Sequence, residues 1–149
     1  MTEIFRSLGR ADALKLREEA ASLNGTQIID REHCVPAFDP TKDYSGFPVS
    51  SPVADEGQVW LLIQPHNAAN YVGRPSTMRA QWGLCHTTNP AKAKSWVDPL
   101  GTSGMYMKDE VYKVEDGSVY RCLFDNTIHD ARMYPDGWEL VGTYVTIAS

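Results

Sequence analysis

One short pattern of residues occurs twice in this chain of 149 residues. The first copy, Glu56-Gly-Gln-Val-Trp60, is followed 60 residues later by Asp116-Gly-Ser-Val-Tyr120, and the same offset relates Pro75 to Pro135. Only glycine takes a positive φ without strain, so a glycine directly before a short apolar strand indicates a tight hairpin turn. The repeat therefore predicts two small β units built on one plan.

Each unit is predicted to contain a hairpin and a proline-led loop that returns to a closing tryptophan, Trp82 or Trp138. We therefore predict a mainly β fold, in which a short N-terminal α-helix precedes two small tandem antiparallel β modules. The expected divisions are residues 1–25 for an N-terminal assembly helix, 26–53 for a proline-rich connector, 54–97 for unit 1 and 98–149 for unit 2 with a C-terminal strand. Extended pieces are expected at residues 27–29 and 35–38. Residues 143–147 alternate β-branched and aromatic side chains, as expected of an edge strand that could pair with another copy.

The predicted helix spans residues 11–23 and ends at Asn24-Gly25. Its apolar side chains recur at helical spacing and form one stripe, which consists of Ala13, Leu16, Ala20 and Leu23. A helix of this length is unstable alone, so the stripe must be covered. It can pack on the unit that follows, or copies of the helix can bundle or dock on a larger assembly. The small size of the units favours assembly.

Composition excludes several classes of partner. The net charge of −5 is spread along the chain, and no basic stripe is present to neutralise nucleic-acid phosphates or anionic lipid. No apolar run is long enough for membrane insertion, and no signal peptide is found at Met1, so we expect synthesis in the cytoplasm. Cys34, Cys85 and Cys122 are odd in number and lack paired spacing, which argues against a disulfide framework.

Catalytic and metal-binding patterns are not found in the sequence. There is no G-x-S-x-G nucleophile motif, and the many carboxylates cluster at turn signals, where solvated acids are common. The neighbouring pairs His33-Cys34 and Cys85-His86 would point to opposite faces of a strand and could not readily share one ion. We expect no enzyme activity, no cofactor and no metal.

The order of the motifs resembles that of the small chitin-binding modules of carbohydrate-binding families 5 and 12. It is most similar to the tandem form found in tail-region proteins of phages and prophages of Gram-positive bacteria. The resemblance covers roughly residues 34–142 and is carried by Gln64-Pro-His66, by the linker from Asp98 to Asp109 and by Tyr134-Pro-Asp-Gly-Trp138. It implies two sugar-binding-like modules behind a short helix.

Aromatic residues are the candidate site residues, because a flat ring stacks on the apolar face of a sugar. The glycan-binding candidates are Tyr71, Tyr112, Phe124, Tyr134, Trp60 and Trp138, and the expected structural core comprises Trp82, Trp96, Tyr120, Val59 and Val119. Trp60 and Trp138 are also candidates for the core, and Trp96 is expected to wedge between the units. The family's paired platform aromatics correspond here to Gln64-Pro65 and Phe124-Asp125, so the tyrosines become better platform candidates than the tryptophans.

The resemblance implies a virion protein of the tail, baseplate or capsid surface that attaches to glycans of the host or its surroundings. The alternative is a purely structural decoration or cement protein whose modules make subunit contacts. The expected partners are other virion proteins, further copies of the same chain in a homo-oligomer, and a cell-wall or other glycan, without nucleic acid or membrane insertion.

Overall fold

The computed structural model describes residues 2–100 and 103–143, with side chains described from residue 11 onward. Its helices are α1 (Thr2–Glu19) and α2 (Gly25–Asp30), and its strands are β1 (Pro52–Asp55), β2 (Gln58–Leu62), β3 (Trp82–Leu84), β4 (Lys94–Ser95), β5 (Val111–Lys113), β6 (Ser118–Cys122) and β7 (Trp138–Thr143). The protein is mainly β, with a helical N-terminal segment followed by two sheets.

The chain divides into unit 1, residues 1–85, and unit 2, residues 86–149. The predicted boundary at residues 97 and 98 lies too late. Thr87 forms a bridge with Val111, and β4 pairs with β5, so residues 87–95, which the prediction assigned to unit 1, belong to unit 2.

Unit 1 contains a three-stranded antiparallel sheet in the order β1-β2-β3. Glu56 and Gly57 connect β1 to β2, and both have positive φ, as a two-residue hairpin turn requires. The loop after β2 passes through a 3-10 turn at Pro75–Thr77 and returns as β3, which places Trp82 opposite Leu62.

Unit 2 repeats this plan and adds one strand, in the order β4-β5-β6-β7. Strands β5, β6 and β7 are antiparallel, whereas β4 pairs with β5 in parallel, which the prediction of purely antiparallel modules did not include. A 3-10 turn at Pro135–Gly137 leads into β7, and Trp138 lies opposite Cys122. The closing tryptophan therefore pairs with the last residue of the middle strand in both units.

The two units also share an arrangement of two stacked aromatic rings against the closing tryptophan. In unit 1, Phe38 and Tyr44 are stacked on each other and meet Trp82 edge to face at 5.8 and 5.2 Å. In unit 2, Trp96 and Tyr106 are stacked at 4.7 Å and meet Trp138 at 5.9 and 5.4 Å. These aromatic side chains supply much of the apolar surface that such small sheets can bury.

The helical segment differs from the prediction in three places. Helix α1 begins at Thr2 rather than residue 11 and ends at Glu19 rather than residue 23, with a 3-10 turn at Ala20–Ser22 after it. The expected extended piece at residues 27–29 lies inside α2. Asn24 caps the start of α2, because its side chain accepts the backbone N–H of Gln27 and the Gln27 side chain accepts the backbone N–H of Asn24. The expected helix stop is therefore also a helix start.

The apolar stripe of α1 is covered within unit 1. Leu16 and Ala20 are fully buried, and Ala20 and Leu23 pack in one cluster with Ile28, Ile29, Val59 and Cys85. The proposed assembly role of this stripe is corrected for Leu16 and Ala20, since neither side chain is accessible to a neighbouring copy. Ala13 is partly exposed. The expected strand at residues 143–147 lies outside the described residues beyond Thr143.

Candidate functional site

The predicted core residues occupy core positions. Trp82, Val59 and Val119 are fully buried, and Tyr120 and Trp96 are partly buried against the aromatic cluster of unit 2. The Trp96 ring packs on Tyr106, Tyr112 and Trp138 of that unit, and its Nε1–H donates to Asp98 Oδ1 at 2.6 Å. Trp96 is therefore part of the unit 2 core.

Three of the glycan-binding candidates are buried, which corrects their proposed role as a platform. The exposed fractions of Trp60, Tyr112 and Trp138 are 1%, 2% and 6%, so their ring faces are covered by protein. Their polar atoms are also engaged. The indole Nε1–H of Trp138 donates to the His129 carbonyl at 2.8 Å, and the Tyr112 hydroxyl accepts the Ala131 N–H at 2.8 Å. Burial raises the pKa of the Tyr112 hydroxyl.

The other three candidates are exposed, and two of them come together. Phe124 and Tyr134 line one depression of about 320 Å³ in unit 2, with exposed fractions of 54% and 40%. Tyr71, which is 47% exposed, lies in unit 1, where its ring meets His66 edge to face at 5.4 Å. The candidate site is therefore the depression in unit 2, which we call the Phe124–Tyr134 depression.

The loop that follows β6 positions Phe124. The Phe124 carbonyl accepts the Thr127 hydroxyl at 2.6 Å and the Cys122 thiol at 3.1 Å, and Leu123 N–H donates to the Gly137 carbonyl at 2.9 Å. The last of these bonds ties the backbone beside Phe124 to the turn at residues 135–137, at the other end of the connection between β6 and β7. The backbone that carries the exposed Phe124 ring is therefore fixed by hydrogen bonds.

The position of Tyr134 depends on the turn at residues 135–137. Its N–H donates to the Asp130 carbonyl at 2.8 Å, and its own carbonyl accepts the Gly137 N–H at 3.1 Å. A Cβ on Gly137 would lie 2.4 Å from Cδ2 of the Tyr134 ring. The ring therefore lies directly over Gly137, in space that only glycine leaves open.

Polar groups surround the two rings. Asp125, Asn126 and His129 line the same depression, and Ile128 adds an apolar side chain that is 48% exposed. Asp125 Oδ1 accepts the backbone N–H of Lys108 at 2.9 Å, which fixes this carboxylate at the rim. Exposed rings beside fixed hydrogen-bonding groups suit the apolar faces and hydroxyls of a sugar. The sequence reasoning missed Asn126, Ile128 and His129, although their closeness to Phe124 in the chain was the available signal.

Unit 2 has a second, larger groove of about 960 Å³, which we call the Trp96 groove. Its lining includes Trp96, Tyr120, Lys113, Glu115, Asp116, Asp130 and Arg132. Of residues 129–135, His129 and Tyr134 line the depression, whereas Asp130, Ala131, Arg132 and Pro135 line the groove. Asp116 accepts the backbone N–H of Ser118 at 2.8 Å, and this hydrogen bond lowers the pKa of the Asp116 carboxyl. The aromatic core residues Trp96 and Tyr120 thus also border an accessible surface.

Within residues 2–100 and 103–143, no group of three His, Cys, Asp or Glu side chains is placed to hold a metal ion. No helix in the described part of the chain has the length and apolarity needed to cross a lipid bilayer. The three cysteines are free thiols. Neither models of known protein families nor curated protein sequences match this chain.

Proposed function

We propose that this protein binds glycan through the Phe124–Tyr134 depression of unit 2. The observation that carries this proposal is the pairing of two exposed aromatic rings, from the two ends of the connection between β6 and β7, with the polar side chains of Asp125, Asn126 and His129. Large aromatic side chains are normally covered in a small β fold, as Trp60 and Tyr112 are in this one. Two exposed aromatic rings in one shallow concavity suit a ligand that has flat apolar faces and hydroxyl groups at its edges.

We place this binding activity on a phage or prophage particle of a Gram-positive host. The support is the resemblance of the repeated hairpin pattern to tandem chitin-binding-type modules of phage tail regions. Stacking on two rings gives weak affinity, and many copies on one particle would raise the effective affinity without new contacts. On this proposal the protein contributes to attachment through repeated weak sites.

The test is titration of the full chain with N-acetylglucosamine oligomers and with solubilised peptidoglycan fragments. We expect Phe124→Ala and Tyr134→Ala each to weaken binding about 3- to 10-fold, because each removes one stacking ring worth about 0.5–1.5 kcal/mol. Tyr71→Ala is the matched control, since it removes a similarly exposed ring in unit 1 and should leave the affinity unchanged. Absence of binding to every glycan, or equal binding by all three variants, would end the proposal.

A structural role in the particle is the second candidate, and unit 1 supports it. At the positions that correspond to Phe124 and Tyr134, unit 1 carries Gln64 and Arg74, and Arg74 is engaged by Asp55 and Glu56. Unit 1 therefore keeps the fold without the exposed ring pair. If the chain decorates particles and forms oligomers but binds no glycan, subunit contact is its function. Light scattering of the purified chain and electron microscopy of particles distinguish the two candidates.

A further inference from the structure

Two buried aromatic residues of unit 2 hold the segment that carries Tyr134. The Tyr112 hydroxyl accepts the Ala131 N–H at 2.8 Å, and the Trp138 Nε1–H donates to the His129 carbonyl at 2.8 Å. The exposed fractions of Tyr112 and Trp138 are 2% and 6%, so both polar atoms belong to side chains that are fixed in the core. Residues 129–134, which contribute two side chains to the Phe124–Tyr134 depression, are thus anchored to the core.

One peptide group links the Tyr112 hydroxyl to Tyr134. The carbonyl of Asp130 and the N–H of Ala131 belong to the same planar peptide. The N–H donates to the Tyr112 hydroxyl, and the carbonyl accepts the Tyr134 N–H at 2.8 Å. Two hydrogen bonds through one rigid group therefore join the hydroxyl to the Tyr134 backbone, and hydrogen bonds in such a series strengthen each other.

Asp130 shapes the turn, whereas Tyr112 fixes where the turn lies. The Asp130 carbonyl and Oδ1 accept the Met133 N–H at 3.2 and 3.0 Å, and the carbonyl also accepts the Tyr134 N–H. These bonds lie within residues 130–134, so they set only the form of the turn. The Tyr112 hydroxyl comes from strand β5 and ties the turn to the sheet. Loss of the hydroxyl should leave the turn formed and loosen its attachment.

The residue of unit 1 that corresponds to Tyr112 is Val53. Tyr112 lies opposite Tyr120 in the sheet of unit 2, and Trp60, the counterpart of Tyr120, lies opposite Val53 in unit 1. Valine has no polar atom on its side chain. The hydroxyl is therefore found in the unit that has the exposed ring pair, and it is missing at the equivalent position of the unit that lacks the pair.

We propose that Tyr112 is a positioning residue for glycan binding, because its hydroxyl holds the Asp130–Ala131 peptide and thereby the backbone of Tyr134. This inference rests on the proposed function of the Phe124–Tyr134 depression. The buried Tyr112 ring cannot stack on a sugar, and it acts through Tyr134 instead. Without the hydroxyl, the Tyr134 ring is still present but less firmly ordered, so binding must bear the cost of ordering it.

The variant Tyr112→Phe tests this inference, because it removes the hydroxyl and keeps the ring in the core. Tyr112 and Ala131 both line the Trp96 groove, so water in the groove can replace the hydroxyl at the Ala131 N–H and the variant is expected to fold. We expect the full chain with this change to bind the N-acetylglucosamine tetramer about 2- to 5-fold more weakly. The NMR order parameter of the Tyr134 backbone N–H, measured without ligand, should fall.

Tyr44→Phe is the matched control in unit 1. The Tyr44 hydroxyl also accepts a backbone N–H, that of Asp39 at 3.0 Å, and Tyr44 is 2% exposed like Tyr112. Both variants lose one hydrogen bond of the same kind, so we expect similar small losses of thermal stability. Tyr44→Phe should nevertheless keep the full affinity and the full order at Tyr134. If the role of Tyr112 were merely structural, the two variants would bind glycan equally well.

Two results overturn the inference and leave the proposed function intact. One is an equal loss of affinity in Tyr112→Phe and Tyr44→Phe, and the other is unchanged affinity in Tyr112→Phe while Tyr134→Ala weakens binding. If no glycan binds at all, the proposed function fails, and the order parameter at Tyr134 still tests whether Tyr112 holds the turn. An unchanged order parameter in Tyr112→Phe then overturns the inference as well.

Discussion

At the scale of single residues, Gly137 controls the candidate site without contacting a ligand. A methyl group at this position would lie 2.4 Å and 2.5 Å from two atoms of the Tyr134 ring, so the ring must move away. The ring is 40% exposed and can rotate into solvent, so we expect Gly137→Ala to weaken glycan binding about as much as Tyr134→Ala, with little loss of stability. Titration and thermal unfolding measure the two effects.

Gly46→Ala serves as the control, because a Cβ on Gly46 meets no described heavy atom within 4 Å. Unchanged binding by Gly137→Ala would show that the orientation of Tyr134 does not matter for glycan binding.

The residue scale is also where sequence reasoning was least successful. Tyr112 and Tyr134 both looked like platform residues, but Tyr112 lies on the strand face covered by Trp138 and Tyr106. Alternation along a strand predicts two faces without saying which of them the returning loop covers.

At the scale of secondary-structure elements, α1 is expected to stabilise unit 1. Leu16 is fully buried, whereas Leu14 on the same helix is 44% exposed. We expect Leu16→Ala to lower the free energy of unfolding by about 2–5 kcal/mol, and Leu14→Ala to change it by less than about 0.5 kcal/mol. Chemical denaturation of both variants measures the difference. Equal small losses would mean that α1 packs only weakly on unit 1.

The helical segment also shows which elements could be predicted. The periodic spacing of Leu16 and Ala20 correctly indicated a helical segment with a buried stripe, although α1 ends at Glu19 and the segment continues as a 3-10 turn at Ala20–Ser22. Asn24-Gly25 was ambiguous, since asparagine favours both helix ends and helix starts. The side chain of Gln27, three residues later, completes a capping box and starts α2. Recognising that box would have replaced the expected extended piece at residues 27–29 with a helix.

At the scale of the whole molecule, the offset of 60 residues correctly indicated two hairpins, although the turn has two residues in unit 1 and three in unit 2. Each hairpin turn requires a glycine at positive φ, and this local requirement is visible in the sequence at Gly57 and Gly117. The closing tryptophans, Trp82 and Trp138, are visible in the same way. The boundary between the units was not visible, because the parallel pairing of Lys94–Ser95 with β5 joins segments separated in the chain. The Phe124–Tyr134 depression lies within one connection, between β6 and β7, and was not visible because it depends on the bond from Leu123 N–H to the Gly137 carbonyl, which brings the two ends of that connection together.

The two units share a fold but differ in surface chemistry, which predicts the stoichiometry of binding. Gln64 and Arg74 replace the ring pair in unit 1, so we expect each chain to bind one N-acetylglucosamine tetramer rather than two. Calorimetric titration measures this ratio.

In the double variant Phe124→Ala and Tyr134→Ala, the affinity should fall by the combined effect of both rings, roughly 10- to 100-fold if they act independently. A double variant that keeps one site of unchanged affinity would place binding in unit 1 and contradict the assignment of the depression. If the double variant loses this affinity, glycan binding belongs to unit 2, and unit 1 is free to make structural contacts.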